Sequence, residues 1–348
     1  MERFVVITKE DFTVLLERLL GAYQVIAPVE REGRIFLSYV SDPAEVNMEY
    51  KGTTLLPPKR FFFPEVEVLF TYRVTGGRVE LYDKLEEVRG AKRALLGVRP
   101  CDIKSLEILD KVLIGEYKDP YYAARRDGTL IVGLTCNEPD EYCFCAFTGS
   151  GPQASGGFDL LMTDLGDRYL VEIGSDKGER VVNLNLDLFK PASKDEVNER
   201  EEMLKRVEAE IRRQELPDLT KVYEAFAKNF DAELWLEYGR RCLACGKCNY
   251  VCPTCRCFDV YDEPSLDGSS GKRVRVWDSC HFLSFTRVAG GKVFRSERPS
   301  RVKQRIYHKY CYGVDEIGEI ECVGCGRCIK VCPAGIDIRE AAKRVVEL

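Results

Sequence analysis

Two stretches of the chain repeat one spacing of four cysteines and a proline: Cys242, Cys245, Cys248, Cys252-Pro253, and Cys322, Cys325, Cys328, Cys332-Pro333. A Cys-x2-Cys-x2-Cys-x3-Cys-Pro run sets three thiolates of a tight loop around one iron–sulfur cubane, while the fourth opens a segment directed away from it. Proline suits that first helical turn, and Gly246, Gly324 and Gly326 let the backbone approach the sulfides. In two-cluster chains the fourth cysteine ligates the other cluster. The spacing therefore predicts two 4Fe–4S clusters with crossed ligands: Cys242, Cys245, Cys248 and Cys332 on one, Cys322, Cys325, Cys328 and Cys252 on the other. A pair of zinc knuckles would use cysteine pairs separated by a longer span, not four thiols this close together.

The bulk properties agree with metal chemistry in a reducing compartment. A chain of 348 residues can bury a core without disulfides, so sixteen clustered cysteines read as ligands. The N-terminal Met1-Glu2-Arg3-Phe4-Val5-Val6-Ile7 has neither the basic start nor the long apolar stretch of a signal peptide. No apolar run approaches the roughly 20 residues that cross a bilayer, and a cytoplasmic location is expected. Histidine is confined to His281 and His308, which argues against most zinc hydrolases and general-base enzymes.

Along the chain, Thr8 and Asp11 mark a helix start, and Phe12, Leu15, Leu16 and Leu19 recur at helical spacing up to Gly21. Strand-like runs follow at residues 23–29, 35–40 and 66–74. Arg93–Val98 reads as a buried strand, Asp102 as the cap of a helix carrying Ile103, Leu106, Leu109 and Val112, and Thr129–Thr135 as a second buried strand. Strand, helix and strand make a βαβ unit with parallel strands. A hairpin turns at Gly166-Asp167, and residues 193–214 form a charged helix with an apolar face.

The βαβ reading brings a third group of cysteines together. Cys101 and Cys136 follow the carboxyl ends of its two strands, the edge where open α/β sheets place ligands. Cys143-Phe144-Cys145 is one short loop further on. Converged, Cys101, Cys136, Cys143 and Cys145 would hold a third 4Fe–4S cluster; zinc or buried free thiols are the competing readings. Cys255, Cys257, Cys280 and Cys311 are expected to be buried free cysteines.

Other chemistry finds no support. The chain has no Gly-x-x-x-x-Gly-Lys-Ser/Thr loop and no Gly-x-Gly-x-x-Gly after a strand, so no FAD or NAD(P) is expected on this chain. The net charge of −5 conceals a basic stretch between Gly271 and Tyr310, with eleven Lys and Arg against two acids. Its interleaved aromatics suggest a nucleic-acid surface. Compensation of anionic clusters, or docking of an acidic redox partner, accounts for the charge better, and no nucleic acid is expected.

Several stretches together resemble a known family. Arg99-Pro100-Cys101-Asp102, Asp119-Pro120-Tyr121-Tyr122, Cys136 with Cys143-Phe144-Cys145, Cys252-Pro253-Thr254-Cys255-Arg256-Cys257-Phe258 and Val276-Trp277-Asp278-Ser279-Cys280 look like the sulfhydrogenase β-subunit family, which includes the corresponding iron–sulfur subunit of anaerobic sulfite reductase. The resemblance covers essentially the whole chain. It implies an iron–sulfur electron-transfer subunit of a cytosolic hetero-oligomeric complex. In such a complex a flavoprotein subunit with FAD and a 2Fe–2S cluster exchanges hydride with NAD(P)H. Electrons then reach either the small and large subunits of a nickel–iron hydrogenase or a sirohaem sulfite reductase subunit; reduction of polysulfide or a thiol at the N-terminal cluster is a further possibility. The expected fold is α+β. An N-terminal α/β domain spans residues 1–190, a helical connector 191–238, and a ferredoxin-like domain 239–348 with a basic insert at about 253–321.

Overall fold

The computed structural model describes residues 3–348. It is a mixed α+β structure with two sheets. Thr8, at the end of β1 (Phe4–Thr8), accepts from the backbone N–H of Asp11 at 3.0 Å and caps the helix Lys9–Ala22, whose Phe12, Leu15, Leu16 and Leu19 are buried. A hairpin of β2 (Gln24–Arg31) and β3 (Arg34–Tyr39) follows, and then a second of β4 (Val66–Thr75) and β5 (Arg78–Asp83).

The βαβ unit lies next in the chain. Every residue of β6 (Arg93–Val98) and β7 (Thr129–Leu134) is buried, as expected of strands covered on both faces. They pair in parallel, with Leu95 opposite Ile131, and the helix Pro100–Leu113 lies between them in sequence. β8 (Leu160–Asp164) and β9 (Arg168–Ile173) form the expected hairpin, and β10 (Lys190–Pro191) completes an eight-stranded sheet of order β10-β1-β9-β8-β7-β6-β2-β3. The β2–β6, β6–β7 and β7–β8 pairs are parallel.

Asp102 does not cap its helix as the sequence suggests. Pro100 fixes the start earlier, Arg99 takes the N-cap position, and Asp102 falls in the first turn with its carboxylate turned to Arg327.

The segment between the two cysteine motifs returns to the N-terminal half. Its β11 (Phe258–Pro264) and β12 (Ser270–Trp277) join the earlier hairpin in a four-stranded antiparallel sheet of order β11-β12-β4-β5. Much of the basic stretch is neutralised internally. Lys272 pairs with Glu263, Arg273 with Asp262, Arg275 with both Glu67 and Asp119, and Lys309 with Glu321.

The helix Lys194–Arg212 begins in a capping box of Ser193 and Glu196. It buries Met203, Leu204, Val207 and Ile211 in one core with Phe144, Trp235, Tyr307 and Ile338. The connector is thereby packed against both the third cysteine group and the ferredoxin region. Among the described residues, no helix is long and apolar enough to cross a membrane.

Candidate metal centres

Each cysteine motif is a tight loop followed by one short helix, Lys247–Tyr250 in the first and Arg327–Lys330 in the second. Both loops turn through left-handed residues, at Ala244 and Gly246 and again at Gly324 and Gly326. Such turns aim successive backbone N–H groups inward; the Ala244 N–H reaches Cys242 Sγ at 3.3 Å. Proximity then follows the crossed pattern. Cys242, Cys245, Cys248 and Cys332 line one cavity, and Cys252, Cys322, Cys325 and Cys328 line another.

The N-terminal group converges as well. Cys101, Cys136, Cys143 and Cys145 line a further cavity, with Arg99, Gly324 and Cys325 on its wall. Arg99 fixes that wall by donating to the carbonyls of Gly52 (3.0 Å) and Thr135 (2.8 Å). The three cavities form a series: Cys328 lines the first and second, and Cys325 the second and third.

The join between the N-terminal group and the second motif is close. The Phe144 N–H donates to the Gly324 carbonyl at 2.8 Å, and Ser150 Oγ donates to the Val323 carbonyl at 2.6 Å. A Cβ on Gly324 would stand 2.5 Å from Cys145 Cα, and one on Gly326 would stand 2.4 Å from the Tyr142 carbonyl oxygen. Beneath them Arg327 pairs with Asp102 at 2.6 Å and donates to the Thr54 carbonyl at 2.7 Å. Burial works against the Arg327 charge, but Asp102 and nearby Cys325 hold its pKa above the ordinary value.

The donor sets suit iron–sulfur clusters: at least four thiols line each cavity, mostly buried or half-buried. Desolvation pushes Cys143, Cys248, Cys322 and Cys325 up to about 12, so these thiols ionise when a metal replaces their protons. Arg305 is an independent indication. It is 4% exposed, lines both ferredoxin-region cavities, and forms no ion pair with a carboxylate among the described residues. Its guanidinium donates a long hydrogen bond, 3.4 Å, to the Cys248 carbonyl and stands against the Cys328 thiol. A buried guanidinium needs an anion, and four thiolates around an iron–sulfur core supply one.

Lys59 is a second buried cation. Its ammonium lies 4.0 Å from the centre of the Trp277 ring and donates to the Cys255 carbonyl at 2.6 Å. Neither cation stood out in the sequence, because nothing local marks a lysine or arginine as buried.

The remaining cysteines scatter. Cys255 contacts Cys252, Cys257 contacts Cys280, and Asn249 donates to Cys280 Sγ at 3.2 Å. Cys255, Cys280 and Cys311 are buried and Cys257 is half-buried. His308, Glu316 and Glu321 also stand close enough to hold a cation. Arg256 already pairs with both of those carboxylates, and Lys309 with Glu321, so their charge is met.

Comparison with known proteins matches this architecture. Residues 241–336 fit the 4Fe-4S dicluster domain. Sulfhydrogenase 2 subunit beta of Pyrococcus furiosus is 35% identical over 340 residues, covering 96% of this chain and 96% of the relative. With both ferredoxin motifs inside the matched domain and the likeness extending over the N-terminal half, this chain belongs to the sulfhydrogenase β-subunit family and is an iron–sulfur electron-transfer subunit of a multi-subunit complex.

Proposed function

We propose that the chain is a three-cluster relay between an NAD(P)H-oxidising flavoprotein and a nickel–iron hydrogenase module in a cytoplasmic complex. Cys242, Cys245, Cys248 and Cys332 hold the first 4Fe–4S cluster, Cys322, Cys325, Cys328 and Cys252 the second, and Cys101, Cys136, Cys143 and Cys145 the third. The observation that carries the reading is the series of cavities, each lined by one quartet and each sharing a cysteine with the next. When bound, such clusters accept and release single electrons; the residues of the chain hold them close together and surround them with buried cations. The units of the relay are the α/β domain 1–190, the connector 191–238 and the ferredoxin-like domain 239–348; the sheet of β4, β5, β11 and β12 joins the first to the last. FAD and NAD(P) are bound by the flavoprotein, not by this chain.

Two measurements test the proposal. Anaerobically purified chain should contain about twelve iron atoms with equal acid-labile sulfide, and Cys136→Ser about eight. About eight in the unsubstituted chain would remove the third cluster. Metal and cofactor analysis of the native complex should find nickel and FAD. Sirohaem in place of nickel would reassign the terminal partner to a sulfite reductase subunit.

A further inference from the structure

A groove of about 770 Å³ runs along the edge of the eight-stranded sheet, from Arg93 at the amino end of β6 to the β2–β3 turn at the carboxyl end of β2. Its floor is Arg93, which opens β6, and Arg125, from the helix Pro120–Asp127. Both are 8% exposed. Nε and Nη1 of Arg93 and Nη1 of Arg125 are fully buried and have no hydrogen-bond partner among the described residues. Arg31 and Arg34, at the turn of the β2–β3 hairpin, and Arg60 complete the basic lining.

Five arginines face two glutamates, Glu32 and Glu65, across this groove, leaving a net charge of +3. Arg60 is paired with Glu65 at 3.2 Å and Arg125 with Glu67 at 2.5 Å. Among the described residues Arg31 donates a hydrogen bond only to the Ser38 hydroxyl, at 3.2 Å. Buried guanidinium N–H groups left without an acceptor are destabilising, so the floor is built for an anion.

Two features decide what kind. The volume is many times that of a bare phosphate or sulfate, and it runs along β3, the edge strand of the eight-stranded sheet. The Ile35 carbonyl already accepts from the Leu55 N–H at 2.9 Å, so it is the later part of this edge strand, residues 37–39, that offers backbone groups to another extended chain. Tyr39 stands at the rim, 52% exposed, with its ring edge-on to Phe61 at 5.6 Å, and gives apolar side chains a wall to pack on.

We propose that this groove docks an extended acidic segment of another subunit of the complex. The segment lies along β3 and directs carboxylates, from alternate positions on one face, to the arginine floor. The proposal requires only that the chain works within a multi-subunit assembly, not a particular terminal enzyme.

Hydrogen–deuterium exchange of the holo chain, alone and in the native complex, tests it. Amides of residues 34–39 and 58–65 should exchange at least tenfold more slowly in the complex. An Arg31→Glu/Arg34→Glu variant should bind the other subunits at least tenfold more weakly, with reduced salt dependence and unchanged iron content. Arg31→Lys/Arg34→Lys should retain most of the affinity. Equal exchange in chain and complex overturns the proposal. So does protection of the same amides by pyrophosphate while assembly leaves them unchanged, since that outcome marks a small-anion site.

Discussion

The two cysteine motifs share one spacing but occupy different surroundings. In the first, Cys245 and Lys247 are exposed and Leu243 is 61% exposed, so the rim of its cavity meets solvent. In the second, the matching loop lies under residues 142–145. Two positions record the difference. Ala244 and Gly324 are both left-handed, but only at Gly324 would a methyl group collide with the neighbouring loop. Lys247 and Arg327 follow the same glycine, yet Lys247 faces water while Arg327 is 3% exposed and paired with Asp102. A repeated ligand pattern thus serves two purposes: one copy is a terminus that a partner can approach, the other an interior joint.

Substitutions at matched positions probe that contrast. Arg327→Met should have the largest effect, because it leaves Asp102 buried and unpaired; breaking such a pair costs about 3–5 kcal/mol. Lys247→Met should change stability by less than about 0.5 kcal/mol. Thermal denaturation of the anaerobic holo chains measures both, and equal losses would erase the distinction.

Gly324→Ala comes next. Overpacking costs roughly 1–3 kcal/mol, with about 1 kcal/mol more for a left-handed residue bearing a side chain. The loop carrying Cys143 and Cys145 should loosen, and the altered signal by electron paramagnetic resonance should be that of the cluster proposed for Cys101, Cys136, Cys143 and Cys145. Ala244→Gly should leave the spectrum unchanged.

Arg305→Gln should leave the iron content intact and lower the reduction potentials of the two ferredoxin-region clusters, since a buried positive charge favours the more negative, reduced state. A spectroscopic redox titration reads the shift, and Arg305→Lys should restore most of it. Unchanged potentials would mean that another anion balances Arg305.

The smallest effect is expected at Glu319, which ties the interior joint to the helix Pro100–Leu113 through Lys104 and Lys111. Burial raises its pKa, but the two ammonium groups outweigh burial and hold it below 4.5. Its folded-state pKa is depressed, so its contribution is complete above the unfolded value and is lost as pH falls below about 4.5. Glu319→Gln should cost less than about 1 kcal/mol at pH 7 and nothing once the carboxylate is protonated in both states, as pH-dependent melting would show.

What the sequence revealed follows from how local each feature is. The ferredoxin motifs, the first helix with its Thr8 cap, the βαβ unit and the hairpin of β8 and β9 are written in contiguous residues. The grouping of Cys101, Cys136, Cys143 and Cys145 was legible one step further out, because parallel strands bring their carboxyl ends together. The pairing of β12 with β4 joins residues some 200 positions apart, and no local pattern encodes it. Asp102 shows the limit at a single residue. Its type and place suited a cap, while its actual partner, Arg327, is 225 residues away. The arginine groove was hidden for the same reason, since its members come from β2, β3, β6 and two helices.

The crossing of the two motifs also bears on how the protein is made. Cys242, Cys245 and Cys248 leave the ribosome roughly 80 residues before Cys332, the fourth thiol of their cavity. At roughly 5–20 residues per second, that is several seconds in which three thiols stand ready without the one that closes the cage. The second ferredoxin-region cage is therefore complete only once translation has passed Cys328, and the first only once it has passed Cys332, which makes cluster insertion a late event and the half-built cage the stage most open to oxidation.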